Sequence, residues 1–184
     1  TKVNEQSKIE VDGLINLSSN IKGVNEHRRL CFNKASDDDV IILLDTDLHF
    51  HKKLLSEVIT HGEKLHNETD HFILTPQYIR LWDTSWDPLV NDSYIHEPLG
   101  YYKNINPEQV VENSHGNIEV TKLNTFKWAG GWFTCISGKL AKLVSIPQSF
   151  IGYGPDDTFM MECCKYLKKK RAWNISQYLL KGCV

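Results

Sequence analysis

A chain of 184 residues, 41% hydrophobic and 24% charged, has the make-up of one globular domain and is long enough to bury a real core. Its formal net charge of −2 excludes a strong overall field for nucleic acid or an anionic membrane. The longest apolar runs fall well short of the ~20 residues that a membrane span requires, and no signal peptide is visible.

In chain order, Ile9, Val11, Leu14, Ile15 and Leu17 alternate loosely and predict a strand. From Val24 to Ala35 the apolar positions Leu30, Phe32 and Ala35 sit among charges, the pattern of an amphipathic helix. Asp37-Asp38-Asp39 reads as a turn. Val40-Ile41-Ile42-Leu43-Leu44 is an unbroken branched apolar run, which predicts a strand buried on both faces of a parallel sheet. It runs into Asp45-Thr46-Asp47. Leu54, Leu55, Val58, Ile59 and Leu65 then recur at helical spacing from Lys52 to Leu65, and Phe72 to Thr75 reads as a short strand stopped by Pro76.

The stretch from Gln77 to Thr125 is aromatic-rich and lacks periodicity, as long functional loops do. Trp128 to Ser137 restores a strand pattern, Lys139 to Val144 a short helix, and Thr158 to Leu167 a longer one. The basic run Lys168-Lys169-Lys170-Arg171 reads as a solvated helix end. Alternating strands and helices predict an α/β fold in a single domain over residues 1–184.

Asp45 and Asp47 are the first chemical signal. Two carboxylates at the carboxyl end of an apolar strand sit where open α/β sheets bind ligands. Held close they repel, unless a cation such as Mn²⁺ or Mg²⁺ lies between them. The structural alternative is a pair of solvated loop residues, with Asp47 capping the next helix. Asp156 and Asp157, after Gly152-Tyr153-Gly154-Pro155, form a second acidic pair. They could cap a helix, or one of them could act as general base on a hydroxyl.

Gly130-Gly131 reads either as a tight turn or as a site where ligand packs on backbone. Arg28 and Arg29 could reach a diphosphate. His49 and His51 invite zinc, but no further ligand set accompanies them. Five cysteines (Cys31, Cys135, Cys163, Cys164 and Cys183) without a CxxC pair point to free thiols, a reducing compartment and a cytoplasmic location.

Taken together, the segments from Ile9 to Leu167 resemble the nucleotide-sugar-dependent glycosyltransferases of the GT-A fold, most closely the family 2 type. Gly23-Val24-Asn25-Glu26-His27-Arg28-Arg29 resembles the family's Gly-x-x-x-x-Arg-Asn helix start, with Arg29 in place of the usual Asn. Val40 to Asp47 matches its strand and DxD motif, and Trp128-Ala129-Gly130-Gly131 its Gly-Gly segment. Phe150 to Asp157 resembles the Gly-Trp-Gly-x-Glu-Asp motif of inverting members, with Asp156 replacing the Glu.

The resemblance implies a Rossmann-like mixed sheet flanked by helices. The chain opens near what reads as the second or third strand, so a domain lacking the first strand is expected. Asp45 and Asp47 would hold Mn²⁺ or Mg²⁺ at the diphosphate of a nucleotide-sugar donor, a UDP-sugar first among the candidates. Arg28 would lie near the nucleotide, and Gly130, Gly131, Trp132 and Tyr153 would line the sugar pocket. Asp157 would be the catalytic base beside Asp156, acting on a saccharide or glycoconjugate acceptor. A sugar nucleotidyltransferase and a non-catalytic carbohydrate- or nucleotide-binding module are the rival readings.

Overall fold

A strand is buried on both faces where helices cover both faces of its sheet, and most fully where it is also flanked by strands on either side; here the apolar strands differ on both counts. A computed structural model describes residues 23–45, 48–49, 52–76, 80–81, 118–129 and 133–182. The principal sheet has five strands in the order β1-β6-β3-β7-β5. These are β1 (Val40–Leu44), β3 (His71–Pro76), β5 (Glu119–Lys122), β6 (Phe133–Ser137) and β7 (Ile175–Lys181). Two short strands, β2 (Leu48–His49) and β4 (Arg80–Leu81), pair antiparallel beside it.

β6 runs antiparallel to both β1 and β3, whereas β3 and β7 are parallel. β1, β3 and β7 therefore point the same way, and the sheet is mixed, as expected. The reading of β1 as a doubly buried parallel strand is corrected. Its described partner is antiparallel, and apart from Leu43 its residues are half-buried or exposed. With one described neighbour it sits at the end of the described sheet. Double burial falls instead on β6, where all five residues are buried, and on β3 from Phe72 onward. Pro76 closes β3 from inside the strand rather than stopping it.

Among the described residues four helices flank the sheet: α1 (Val24–Lys34), α2 (Lys52–Glu68), α3 (Gly138–Leu143) and α4 (Asp156–Lys170). The strands' two-residue alternation sorts the core into two layers. Phe72, Leu74, Phe133, Cys135 and Leu180 pack with Leu54, Val58 and Leu65 of α2 on one face. Ile73, Ile136, Ile175 and Leu179 pack with Phe32 of α1, Leu140 and Ala141 of α3, and Met160, Met161 and Cys164 of α4 on the other. At roughly 2 kcal/mol per fully buried large apolar side chain, these layers supply the main drive for folding.

The predicted helices stand within a few residues of their expected limits. α4 begins two residues earlier than its periodicity suggested, which brings Asp156 and Asp157 into its first turn. Its last turn carries Lys168, Lys169 and Lys170, where the helix dipole favours cations. Asp37 to Asp39 form the expected turn: the Asp39 carboxylate accepts a hydrogen bond from the Ser36 N–H at 2.7 Å.

Four described strands were not anticipated: the two-residue β2 and β4, and the longer β5 and β7. β5 lies in the aperiodic middle of the chain, and β7 follows the basic run. The buried Gln177 of β7 exchanges two 2.8 Å hydrogen bonds with the Lys127 backbone and so ties the 123–127 segment to the sheet. No described helix is long and apolar enough to cross a membrane. The predicted strand from Lys8 to Leu17 lies outside the described residues.

Candidate functional site

β1 delivers Asp45 to the carboxyl end of the sheet, and α1 and α4 meet over the same end. The contact between them begins with backbone. A Cβ added to Gly23, just before α1, would lie 2.5 Å from the Cα of Gly152, so the two segments approach only because Gly23 has none. The segment after Gly152 turns through two left-handed residues, Gly152 at φ +82° and Gly154 at φ +54°, conformations that side-chain-bearing residues rarely adopt. Tyr153 between them is 77% exposed.

Arg28, one turn into α1, joins the two acidic motifs. Its Nη2 donates to Asp45 Oδ1 at 3.0 Å, and its Nη1 donates to Asp156 Oδ2 in a very short ion pair. The three side chains are 12%, 31% and 7% exposed, respectively. Arg28 is thus a desolvated cation held between two carboxylates that are far apart in sequence. The planar fork of a guanidinium suits this: two N–H groups reach two different acceptors, which an ammonium could not do with the same geometry. Asp156 also sits in the first turn of α4, where the dipole favours a negative charge.

Asp157 differs from its neighbour. It is half-buried, and its Oδ1 accepts the Thr158 N–H at 2.6 Å. Tyr153 lies close enough to feel the whole cluster. Desolvation raises the pKa of its hydroxyl, the charges of Asp45 and Asp157 raise it further, and Arg28 opposes them.

Five residues singled out in the sequence therefore converge: Arg28, Asp45, Tyr153, Asp156 and Asp157. The expected partners Asp47, Gly130, Gly131 and Trp132 lie outside the described residues, as does His51. Of His49 only the backbone, in β2, is described. Arg29 faces elsewhere, donating to the Pro147 carbonyl at 3.0 Å.

One participant was missed. Asn25 is fully buried in the first turn of α1. Its backbone N–H donates to the Gly152 carbonyl at 3.1 Å and its side-chain amide to the Gly154 carbonyl at 3.2 Å. Nothing in a helical periodicity marks such a residue. The only cue is a polar side chain two residues after a glycine at a helix start.

Among the described residues no group of three His, Cys, Asp or Glu side chains is arranged to hold a metal ion. The donor chemistry is nonetheless suitable for the divalent ion that the resemblance implies. Asp45 offers a partly exposed carboxylate, Asp47 supplies a second in sequence, and a hard ion shared with a diphosphate needs only one or two protein carboxylates. The four described cysteines are free thiols, and burial pushes the Cys135 thiol up to about 12.

Comparison with known proteins finds no matching family model, no matching curated protein and no matching solved structure. What is established is a mixed α/β domain that gathers an arginine, three aspartates and an exposed tyrosine at one end of its sheet.

Proposed function

We propose that this chain is the catalytic domain of a metal-dependent inverting glycosyltransferase of GT-A type, using a nucleotide-sugar donor, with a UDP-sugar as first candidate. The observation that carries the reading is the link from Arg28 to both Asp45 and Asp156. It joins three motifs that resembled one family only as separate stretches of sequence. The carboxyl ends of the strands are also where α/β sheets place their ligands.

On this reading the residues divide the labour. Asp157 accepts the proton of an acceptor hydroxyl as that oxygen attacks the anomeric carbon and the bond to the diphosphate oxygen breaks. Asp156, buried against Arg28, positions rather than reacts. Arg28 lies beside the diphosphate, and Tyr153 offers a face on which a sugar stacks. Gly130, Gly131 and Trp132 line the sugar pocket. Asp45 and Asp47 would hold Mn²⁺ or Mg²⁺, whose positive charge would offset the negative charge developing on the departing nucleoside diphosphate.

The test is release of free nucleoside diphosphate from a panel of UDP-, GDP- and dTDP-sugars, with a saccharide acceptor and with Mn²⁺ or EDTA. Turnover should need the metal, and Asp157→Asn should lower kcat by about 10²- to 10⁴-fold. No turnover with any donor, together with nucleotide binding by calorimetry, would replace this reading with that of a binding module.

A further inference from the structure

The segment from Gly152 to Pro155 carries Tyr153 and leads into Asp157, so its position sets where both side chains stand. Its two glycines have left-handed backbone, and a Cβ added to either would meet nothing within 4 Å. Side-chain packing at the glycines therefore cannot fix the turn. The carbonyls of the two glycines are fixed instead, both by one residue. Asn25 donates its backbone N–H to the Gly152 carbonyl and its side-chain amide to the Gly154 carbonyl, gripping the backbone of the two glycines that flank Tyr153.

The backbone half of this grip uses a property of helix starts. The first N–H groups of α1 have no acceptor within the helix, and that of Asn25 is turned to Gly152. The side-chain half explains the residue type. Asn25 is fully buried, and its Oδ1 finds no hydrogen-bond partner among the described residues. An unpaired buried acceptor carries a desolvation cost that an apolar residue would avoid. The amide is retained for its donor. Aspartate has the shape but cannot donate, and serine has a donor but is too short to reach. Arg28, three residues on and on the same face of α1, holds Asp156 at the start of α4.

We infer that Asn25 is a positioning residue, fixing Tyr153 and Asp157 relative to Asp45 through the two carbonyls it holds. This rests on the transferase reading for its catalytic consequence, but not for its structural one.

Two readouts on the full chain test it. Displacement of a catalytic constellation by about 1 Å costs up to roughly a hundredfold in rate. Asn25→Ala should therefore lower kcat about ten- to a hundredfold, with little change in affinity for the nucleoside diphosphate. Independently, the chain labelled with 3-fluorotyrosine, its Tyr153 resonance assigned through Tyr153→Phe, should show that resonance shifted or broadened in Asn25→Ala and Asn25→Asp. Should Asn25→Ala fail to fold, Asn25→Ser removes the reach to Gly154 with a milder change. A purely structural role would lower Tm yet leave kcat per folded molecule and the Tyr153 resonance at wild-type values, and that result overturns the inference. If wild-type protein turns over no donor, the transferase reading falls while the fluorine spectrum still decides the clamp: an altered Tyr153 signal upholds it and an unchanged one removes it.

Discussion

The two ends of the sheet are built from the same parts and put them to different use. At the carboxyl end of β1, Gly23 lies against the backbone of Gly152, and Arg28 pairs with Asp45 and Asp156. At the opposite end, Gly138 lies against the Ser36 carbonyl, Lys139 pairs with Asp70 at 2.5 Å, and Lys142 pairs with Asp37 at 2.7 Å. Each end thus has a glycine where backbone meets backbone, and ion pairs across the join. The difference is water. Asp156 and Arg28 are 7% and 12% exposed, whereas Asp70 and Asp37 are 66% and 61% exposed. Exposed pairs contribute little and form wherever long side chains meet. A desolvated cation between two carboxylates is costly to assemble, so its presence asks for a reason beyond stability. That asymmetry marks the Arg28 end as the candidate site and the other as a structural closure.

The largest expected effect follows from removing the shared cation. Arg28→Ala leaves two carboxylates facing each other, one of them buried. Breaking a buried pair costs roughly 3–5 kcal/mol, and because Asp45 is about a third exposed the lower figure, about 3 kcal/mol, is expected. In a domain of this size that lowers Tm by roughly 6–12 °C. Arg28→Lys should fall between, since one ammonium cannot reproduce the fork. Thermal melts followed by circular dichroism decide it. A Tm for Arg28→Ala within a degree of wild type would erase the distinction between the two ends.

Gly138→Ala sharpens the comparison from the other side. A Cβ at this position would overlap the Ser36 carbonyl oxygen, and backbone cannot swing aside as a side chain can. The Gly138 N–H also donates to the Asp39 carbonyl at 2.8 Å, so moving the strand end breaks a second contact. Overpacking of this kind costs about 1–3 kcal/mol. The variant should melt earlier while donor turnover per folded molecule stays at the wild-type level, because nothing at the Arg28 end is touched. Loss of turnover at a temperature where the variant is fully folded would show that the two ends are coupled.

The fold was more legible than the site. α1, α2, α3 and α4 lie where helices were expected, β3 follows from the short apolar run Phe72 to Thr75, and β6 from the aromatic strand pattern of Trp128 to Ser137. β7 escaped because its buried residues include two consecutive polar ones, Ser176 and Gln177, and the burial of Gln177 depends on hydrogen bonds to Lys127 that no local pattern encodes. The orientation of β1 escaped for a similar reason: an apolar run specifies burial but not the direction of its neighbour. At the site, each of Arg28, Asp45, Asp156 and Asp157 carried a chemical suggestion when read alone. Their meeting was implied only by the family resemblance, since Arg28 and Asp156 stand 128 positions apart and only tertiary packing relates them. Asn25 was invisible because its work is done on the carbonyls of a segment 129 positions away.

The smallest effect is expected in the acid limb of stability, and it belongs to the exposed end. Hydrogen bonding and the charge of Lys142 hold the Asp37 carboxyl below its ordinary 3.8, Lys139 does the same for Asp70, and the Ser36 N–H does so for Asp39. A carboxylate with a lowered folded pKa adds stability above its unfolded value and loses it as pH falls through the folded one. His71 acts in the same direction by another route. Desolvation lowers its pKa from 6.5, so the unfolded chain binds that proton more readily and acid favours unfolding. Tm should therefore be highest between about pH 7 and 8, decline on the acid side as His71 titrates and further below about pH 4, and decline on the alkaline side as the unfolded chain releases the thiol proton that burial holds on Cys135. Lys142→Ala should flatten the last part of that decline while changing Tm at neutral pH far less than Arg28→Ala does. Melts of both variants across this range give the comparison directly. Equal losses at pH 7 would mean that exposure does not separate the two ends, and that the Arg28 cluster is only another closure of the fold.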